Sequence, residues 1–531
     1  MTPTKVVTVA QMQALESASE RLGVSTDTLM ENAGLECARF VRQHMRGAAG
    51  RKVLLLIGPG NNGADGLVIA RHLQRWGADT CCYVVRGRPA EDPKMVAALA
   101  YGVSVTHAED DPDFSALKGW LSSSSAVVDA ILGAGRYRAL EGAVKAVAET
   151  INDRARSDTT GGVISIDLPT GVHPDTGEAD DNTIVAGVTL ALCYPKFGIA
   201  NFPGAGRAGR IVVLDVGLHP VAPDGMDLPV EWMDAATVRD LLPNRRLDSH
   251  KGTYGHLLII AGSRNFVGAS SLAATAAHRV GAGLVTLATP KSVYPIVASK
   301  LTETIHLPLP EDGDGRVDAS AARLIRERIA GYSALAVGCG LGWSDGTVEF
   351  IEQLLLNDGD QPTLPTVIDA DGLNCLSRCD DWPQRLNAPA VLTPHPGEMA
   401  TLTGQPTAEV QSDRLATATN FAKQWRQAVL LKGAHSLVAA PDSRTTVLPF
   451  ANPALAAGGT GDVLTGLIGG LLAQGSSTYD AARLGGFLHG TAGEEAKAEM
   501  GTSGVVATDL LHRIPRLMEE LRARSPRTRG G

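Results

Sequence analysis

Ala456-Ala457-Gly458-Gly459-Thr460-Gly461-Asp462 runs directly into Val463-Leu464-Thr465-Gly466-Leu467-Ile468. This is a glycine-rich turn that ends in a carboxylate and opens an apolar helix. Leu464, Leu467, Ile468, Leu471 and Leu472 recur at helical spacing and give that helix one face to bury. The glycines let backbone N–H groups converge at the helix N-terminus, where the dipole favours an anion. A second negative charge, Asp462, makes chemical sense there if it takes a proton from a substrate hydroxyl beside a phosphate. The alternative is a helix N-cap, a role Asp fills well. A cap alone does not require three glycines, so the turn is read as a site for a phosphate and a hydroxyl.

At 531 residues the chain is too long for one ordinary domain. Its abundance of Ala, Gly, Val and Leu and its few aromatics suit α/β enzymes. A formal charge of -9 argues against a nucleic-acid protein. The one basic cluster, Arg522-Ala523-Arg524-Ser525-Pro526-Arg527-Thr528-Arg529, reads as a solvated, disordered end. Seven scattered cysteines, at 37, 81, 82, 193, 339, 375 and 379, match neither a zinc spacing nor a disulfide framework. Reduced thiols in a cytosolic protein are expected. The N-terminus lacks the apolar core of a signal peptide. No apolar run approaches the ~20 residues that span a bilayer. A soluble, cytoplasmic protein is the expectation.

The clearest break is Gly217-Leu218-His219-Pro220-Val221-Ala222-Pro223-Asp224-Gly225, followed by Pro229. On both sides, short apolar runs alternate with helical segments, as in parallel sheets. In the first half, 53–57, 126–128 and 163–166 read as buried strands. Each precedes a polar loop: Gly58 to Gly66, Asp129 to Gly135, and Asp167-Leu168-Pro169-Thr170-Gly171. Such loops gather at one edge of a parallel sheet, where ligands bind. Helices over about Val9 to Leu22 and after Ser25, an expected N-cap, precede that sheet and suit either a sheet cover or a dimer interface. In the second half, strands are expected at 257–261, 284–288, 334–337, 367–369, 391–393, 429–431 and 436–439, with a small-residue helix over about 269–280.

Gly58 to Gly66 lacks dinucleotide-type glycine spacing, and a plain tight turn is an equal alternative to a phosphate cradle. The tandem amides Asn61 and Asn62 favour a ligand site, and with Asp129 and Thr170 they suit an all-oxygen site for a monovalent cation. The alternative for Asp129 is a strand-end carboxylate bonded to neighbouring N–H groups. His395, between two prolines, is either structural or a substrate contact. Asp369 and Asp371 suit either water-bound magnesium or Asx turns. Lys432-Gly433-Ala434-His435-Ser436 fits a nucleotide phosphate or a simple hairpin turn.

Taken together, Gly458–Asp462, Thr393-Pro394-His395-Pro396-Gly397-Glu398, Asp369-Ala370-Asp371-Gly372-Leu373-Asn374 and His250 to His256 resemble the ribokinase-like NAD(P)H-hydrate dehydratases. The N-terminal half, through Leu29 to Gly34, Gly58 to Gly66 and Asp167 to Gly171, is similar to the NAD(P)H-hydrate epimerases of Rossmann-like fold. The chain thus resembles the bifunctional NAD(P)H-hydrate repair family over about residues 8–520. Two departures stand out: Ala64, where the family commonly has a second Gly, and Arg136-Tyr137-Arg138 after Gly135. Ala64 is harmless if it keeps a negative φ.

The resemblance implies an α/β chain with an epimerase domain at 1–222 and a dehydratase domain at 223–531. Their substrates would be NADH and NADPH hydrates, whose two epimers differ at the hydroxyl-bearing carbon. The first domain would interconvert them. The second would dehydrate the S form with ADP (ATP as the alternative) and magnesium. It further implies that Asn61, Asn62, Gly63, Ala64, Asp65, Gly133, Ala134, Gly135, Arg136, Tyr137, Arg138, Ala139 and Asp167 contact the hydrate in the epimerase. Asn62, Asp129 and Thr170 would bind potassium. In the dehydratase, Ala269, Gly340 and His395 would line the hydrate site, and Lys432, Gly433, Ala434, His435, Ser436 and Gly461 would hold the nucleotide. Asp462 is the expected dehydratase base and Asp167 the epimerase acid/base. A homo-oligomer without nucleic-acid or membrane partners is expected. Two rivals remain at this point: a vitamin or sugar kinase on the same scaffold, which would release a stable phosphorylated product, and an N-terminal half that only senses cofactor or binds protein.

Overall fold

Apolar runs flanked by glycine form the centre of each half. A computed structural model describes residues 3–89, 91–135, 137–157, 162–219, 222–223, 225–356 and 364–523. Arg136, part of the 217–229 break (Pro220, Val221 and Asp224) and the tail beyond Ala523 lie outside them. Arg522, read as part of a solvated tail, instead belongs to the helix Arg513–Ala523 and donates to the Pro243 carbonyl at 2.9 Å. The chain forms two compact units, residues 2–228 and 229–531.

The first unit holds seven strands: β1 (Lys52–Ile57), β2 (Asp79–Val84), β3 (Ser104–His107), β4 (Ala126–Ala130), β5 (Val163–Ile166), β6 (Ala186–Leu192) and β7 (Arg210–Leu214). They pair in the order β3-β2-β1-β4-β5-β6-β7, every pair parallel. The β3-β2-β1-β4-β5-β6 order is the doubly wound dinucleotide-fold order, so the Rossmann-like expectation stands on topology. Both faces of β1 are buried, which is why Val53–Ile57 reads as an unbroken apolar run. Odd residues Val53, Leu55 and Ile57 join a core with the helices Thr26–His44 and Asn61–Arg75, while Leu54 and Leu56 pack toward Leu117, Val147 and Ile151.

The second unit holds ten strands: β8 (Val230–Trp232), β9 (His256–Ile260), β10 (Leu284–Pro290), β11 (Ile305–Leu309), β12 (Ala334–Val337), β13 (Thr366–Ile368), β14 (Ala390–Leu392), β15 (Ala428–Leu431), β16 (Leu437–Ala439) and β17 (Thr445–Val447). Their order is β11-β10-β9-β12-β13-β14-β15-β16-β17-β8. Only β15/β16 and β16/β17 are antiparallel. Lys432 to Ser436 therefore turns a hairpin, and its polar residues still sit at the carboxyl end of β15.

The glycine-turn helix, Thr460–Ala473, lies against the small-residue helix Val267–Val280. Their approach depends on absent side chains. A Cβ on Gly466 would stand 2.2 Å from the Ala273 carbonyl oxygen, and one on Gly470 would stand 2.5 Å from Val280 Cγ1. This seam sets where the N-terminus of the Thr460–Ala473 helix lies over the sheet edge. All seven cysteines are buried and unpaired. Among the described residues no helix is long and apolar enough to cross a membrane.

Gly466→Ala should destabilise the second unit by about 1–3 kcal/mol, because backbone rather than a movable side-chain end blocks the new methyl group. Urea or thermal unfolding measures this, and an unchanged midpoint would contradict the seam.

Candidate active sites

In the second unit the turn residues are placed by the carboxyl ends of β12, β13, β14 and β15. The N-cap of the Thr460–Ala473 helix is Gly459, at φ 89°, not Asp462. Asp462 lies in the first turn, leaving its carboxylate free of the capping role. Burial, with repulsion from Asp369 and Asp371, pushes the Asp462 carboxyl up to about 6, against the opposing pull of the Cys339 thiol and the Lys432 ammonium. The start of the helix is held from below: His489 Nε2 lies 2.9 Å from the Thr460 carbonyl. Burial pushes that imidazole down to about 4, so it is neutral and donates.

Lys432 Nζ donates to Asp369 Oδ1 at 2.7 Å and stands 3.5 Å from Glu398 Oε2. Thr465 Oγ1 donates to Asp369 Oδ2 at 2.6 Å, tying the glycine-turn helix to the end of β13. Burial opposes the Asp369 charge, but Lys432 and the hydrogen bonds from Lys432, Thr465 and Thr393 outweigh it and hold the carboxyl below its ordinary value. Burial likewise opposes the Lys432 charge, and Asp369 and Glu398 outweigh it. Asp369 is thus occupied by the chain itself, and Asp371 accepts from the Gly342 N–H at 2.9 Å. Both carboxylates serve loop architecture. Among the described residues no cluster of three or more His, Cys, Asp or Glu side chains is arranged to hold a metal.

His395 caps the helix Pro396–Thr403: Nδ1 accepts from the Gly397 and Glu398 N–H groups at 3.0 and 3.2 Å, and Glu398 Oε2 accepts from the His395 N–H at 2.7 Å. With Nδ1 accepting, Nε2 carries the proton, 3.5 Å from Glu398 Oε1 on a side chain that is 57% exposed. The cap therefore fixes a donor facing outward, so the structural and ligand roles coexist. A chain of contacts runs from His395 through Glu398, Lys432 and Asp369 to Thr465. Ala269 and Gly340 also meet: a Cβ on Gly340, at φ 61°, would stand 3.0 Å from Ala269 Cβ and 2.6 Å from Phe266 Cβ. Gly461 lies near both Lys432 and Asp369, each 3.8 Å from where its Cβ would be. His435 differs from its neighbours. Its ring is buried against Trp232, 5.5 Å between centroids, so only its backbone remains for a ligand.

In the first unit, the expected polar loop 58–66 is mostly helix. The helix Asn61–Arg75 starts immediately after Gly58-Pro59-Gly60, and Asn62 to Asp65 are buried in its first turn. Composition suggested a loop because Asn and Gly are poor mid-helix residues, but at a helix start they cost little. Ala64 is absent from the positive-φ residues, so the departure from Gly is tolerated. Asp129 is fully buried at the end of β4 and accepts from Ser165 Oγ (2.8 Å), Thr170 N (2.9 Å), Thr170 Oγ1 (2.7 Å) and Ile131 N (3.3 Å). Burial raises its carboxyl despite these bonds, and among the described residues no cationic side chain pairs with it. Thr170 Oγ1 also accepts from Leu132 N at 3.0 Å, and Gly133 abuts Asn62, whose Nδ2 is buried without a partner. Asn62, Asp129 and Thr170 are therefore neighbours around one turn. Of the following loop, Ala134 packs on the Leu168 and Ile199 cluster, Gly135, Arg138 and Ala139 are exposed, and Tyr137 packs on His173 at 4.9 Å. Arg136 lies outside the described residues.

Asp167 has φ 64°, a left-handed conformation that L residues rarely adopt, and its Oδ1 accepts from Lys196 Nζ at 2.6 Å. Lys196 and Glu16 were missed from sequence. Neither belongs to a motif, and only the chain's return after β6 and the first helix bring them to Asp167. Burial and repulsion from Asp167 and Glu16 raise the Asp65 carboxyl well above its ordinary value.

Comparison with known proteins then fixes the family. A family model described as NAD(P)H-hydrate dehydratase matches residues 257–516, and one described as YjeF-related protein N-terminus matches residues 26–198. The bifunctional NAD(P)H-hydrate repair enzyme Nnr of Moorella thermoacetica is 38% identical over 528 residues, covering 97% of each chain. That of Thermofilum pendens is 35% identical, covering 98% of this chain and 97% of its own. Among solved structures, an ADP/ATP-dependent NAD(P)H-hydrate dehydratase from Bacillus subtilis, co-crystallized with ATP/Mg2+, is 32% identical over 55% of this chain and 98% of its own, with a TM-score of 0.47. The chain belongs to the family of bifunctional NAD(P)H-hydrate repair enzymes.

Proposed function

We propose that the chain returns hydrated NADH and NADPH to the reduced cofactors in two reactions, epimerisation in the first unit and ADP-consuming dehydration in the ribokinase-like second. The observation that carries the dehydratase half is Asp462: a half-buried carboxyl poised at about 6, in a glycine turn that also approaches Lys432. A general base works best with such a value, since at neutral pH it is ionised yet still basic. Asp462 takes the proton of the hydrate hydroxyl, and the freed oxygen attacks the terminal phosphoryl group of ADP, giving AMP and a phosphate ester. The Gly458 to Gly461 amides and Lys432 stabilise the charge on the transferring group. The ring nitrogen lone pair expels phosphate, and loss of a proton from the adjacent carbon restores the double bond. Hydroxide, a poor leaving group, is thereby replaced by phosphate. In this reading Ala269, Gly340 and the outward Nε2–H of His395 contact the hydrate, and Lys432 to Ser436 and Gly461 hold the nucleotide. Magnesium enters with the nucleotide phosphates, its usual partners. ATP is the alternative donor.

In the epimerase unit, Asn61 to Asp65, Gly133 to Ala139 and Asp167 are assigned to the hydrate. The donor chemistry around Asp129 fits potassium: the Thr170 hydroxyl oxygen and a buried carboxylate with no paired cationic side chain among the described residues, with the Asn62 side chain beside Gly133. Asn62, Asp129 and Thr170 would hold the ion. It would supply a countercharge to the buried Asp129 carboxylate there. The assembly is proposed to be a homo-oligomer and the compartment the cytoplasm.

Asp462→Asn should abolish dehydration of the S hydrate while leaving ADP binding by calorimetry close to wild type; near-normal turnover would refute the base role. In the wild type, dehydration should fall as pH drops through about 6, because the base is lost to protonation. A rate that stays level down to pH ~5 would contradict the assignment.

Replacing potassium by tetramethylammonium should slow epimerisation, and Asp129→Asn should remove that dependence. Equal rates in the two salts would exclude a potassium site.

A further inference from the structure

Lys196 lies outside every motif, yet it is the best-placed cation of the first unit. It is 2% exposed, in the turn after β6, and its ammonium meets the Asp167 carboxylate at 2.6 Å. Its backbone is fixed by a parallel bridge to Val7, and the neighbouring Pro195 carbonyl accepts from the Val7 N–H at 3.0 Å. Asp167 is equally constrained: its φ is 64°, its N–H donates to the Leu190 carbonyl at 2.8 Å, and Leu192 N–H reaches Oδ1 at 3.4 Å. A residue held in so rare a backbone conformation marks a place where geometry has been favoured over local comfort.

The surroundings are acidic. Glu16 on the first helix, Asp65 on the helix Asn61–Arg75 and the Cys37 thiol on the helix Thr26–His44 all feel the charge of Asp167. Burial raises Glu16, with Lys196 opposing and Asp167 adding to the rise. Asp65 is raised much further by burial, then by Asp167 and Glu16, with Lys94 and Lys196 opposing. Among the described residues Lys196 is the only cation in hydrogen-bond contact with Asp167. Of the carboxyl groups around it, Lys196 hydrogen-bonds Asp167, so that side chain is the one whose position the lysine sets.

Epimerisation at a carbon bearing both a hydroxyl and a ring nitrogen requires a group that takes a proton and gives it back. We propose that Lys196 is the positioning residue of the epimerase, fixing Asp167 as that group. The inference rests on the epimerase reading of this unit. Asp167 removes the hydroxyl proton, the oxygen electrons form a carbonyl, and the carbon–nitrogen bond breaks with its electron pair going to the ring nitrogen. Asp167, now carrying that proton, gives it to the nitrogen. The aldehyde rotates, the nitrogen returns the proton to Asp167 while attacking the other face, and Asp167 gives it back to the new alkoxide. No electron or outside reactant is required, and Asp167 ends as it began.

The test uses the full chain and purified R hydrate without ADP, with the epimers separated by chromatography. Lys196→Met should lower kcat by roughly 10²-fold or more, with KM changed by less than about threefold. The acidic limb of its rate profile should move to higher pH, since removing a neighbouring cation favours the protonated carboxyl. Lys196→Arg, which keeps the charge, should recover at least about tenfold of that loss. Dehydration of the S hydrate with ADP should be unaffected in both variants. A Lys196→Met chain with the wild-type rate and limb overturns the role of Lys196. So does equal loss in the Met and Arg variants with an unmoved limb, which would mark a merely structural lysine. A wild-type chain that leaves the epimers unconverted overturns the epimerase reading itself.

Discussion

The ion pair between Lys432 and Asp369 is the interaction on which the dehydratase site depends. It joins the end of β15 to the end of β13, and Thr465 carries the link into the helix whose first turn holds Asp462. A buried pair of this kind is weak evidence for stability, because desolvation offsets much of its attraction. Its value here is placement. Glu398 extends the network to the His395 cap, so residues far apart in sequence are held in one arrangement at the sheet edge. Asp462 stands beside this network without being neutralised by it, and the result is a carboxyl with a useful proton affinity.

The first unit arrives at the same arrangement by a separate route. There the pair is Lys196 with Asp167, and the neighbouring carboxyl with raised proton affinity is Asp65. In both units a lysine from the carboxyl end of a strand pairs with an aspartate from another strand end, and a further carboxyl of raised proton affinity lies beside the pair. The common cause is the parallel sheet. Its strands deliver their following residues to one edge, and burial of that edge makes every unpaired charge costly. The Gly466 seam belongs to the same logic, since it sets the depth at which the helix dipole and Asp462 meet the edge.

Much of this was legible in the chain. β1, β4, β5, β9 and β12 read correctly because strands buried on both faces are continuous apolar runs. β2, with Asp79 and two adjacent free cysteines, the edge strands β8 and β11, and the short β17 lack such a run, and only pairing with neighbours makes them strands. The Asn61–Gly66 stretch looked like a loop because its composition is that of turns; packing of the helix on the sheet overrides it. Asp462 was visible because the glycines announce it, although its N-cap alternative failed once Gly459 took the cap. Glu398 was hidden in plain view as the partner residue of a His395 capping box. Lys196 had no such signal, since nothing local distinguishes a lysine after Pro195 from a solvated one.

In the proposed reaction the phosphate at Asp462 is transient and both epimers are substrates. The most direct measurement incubates the wild-type chain with mixed R and S hydrates and ADP, following reduced-nicotinamide absorbance and phosphate release together. Complete recovery of absorbance from both epimers, with one phosphate released per cofactor restored, is the predicted result. Accumulation of a stable phosphorylated product, with no return of absorbance, would contradict it.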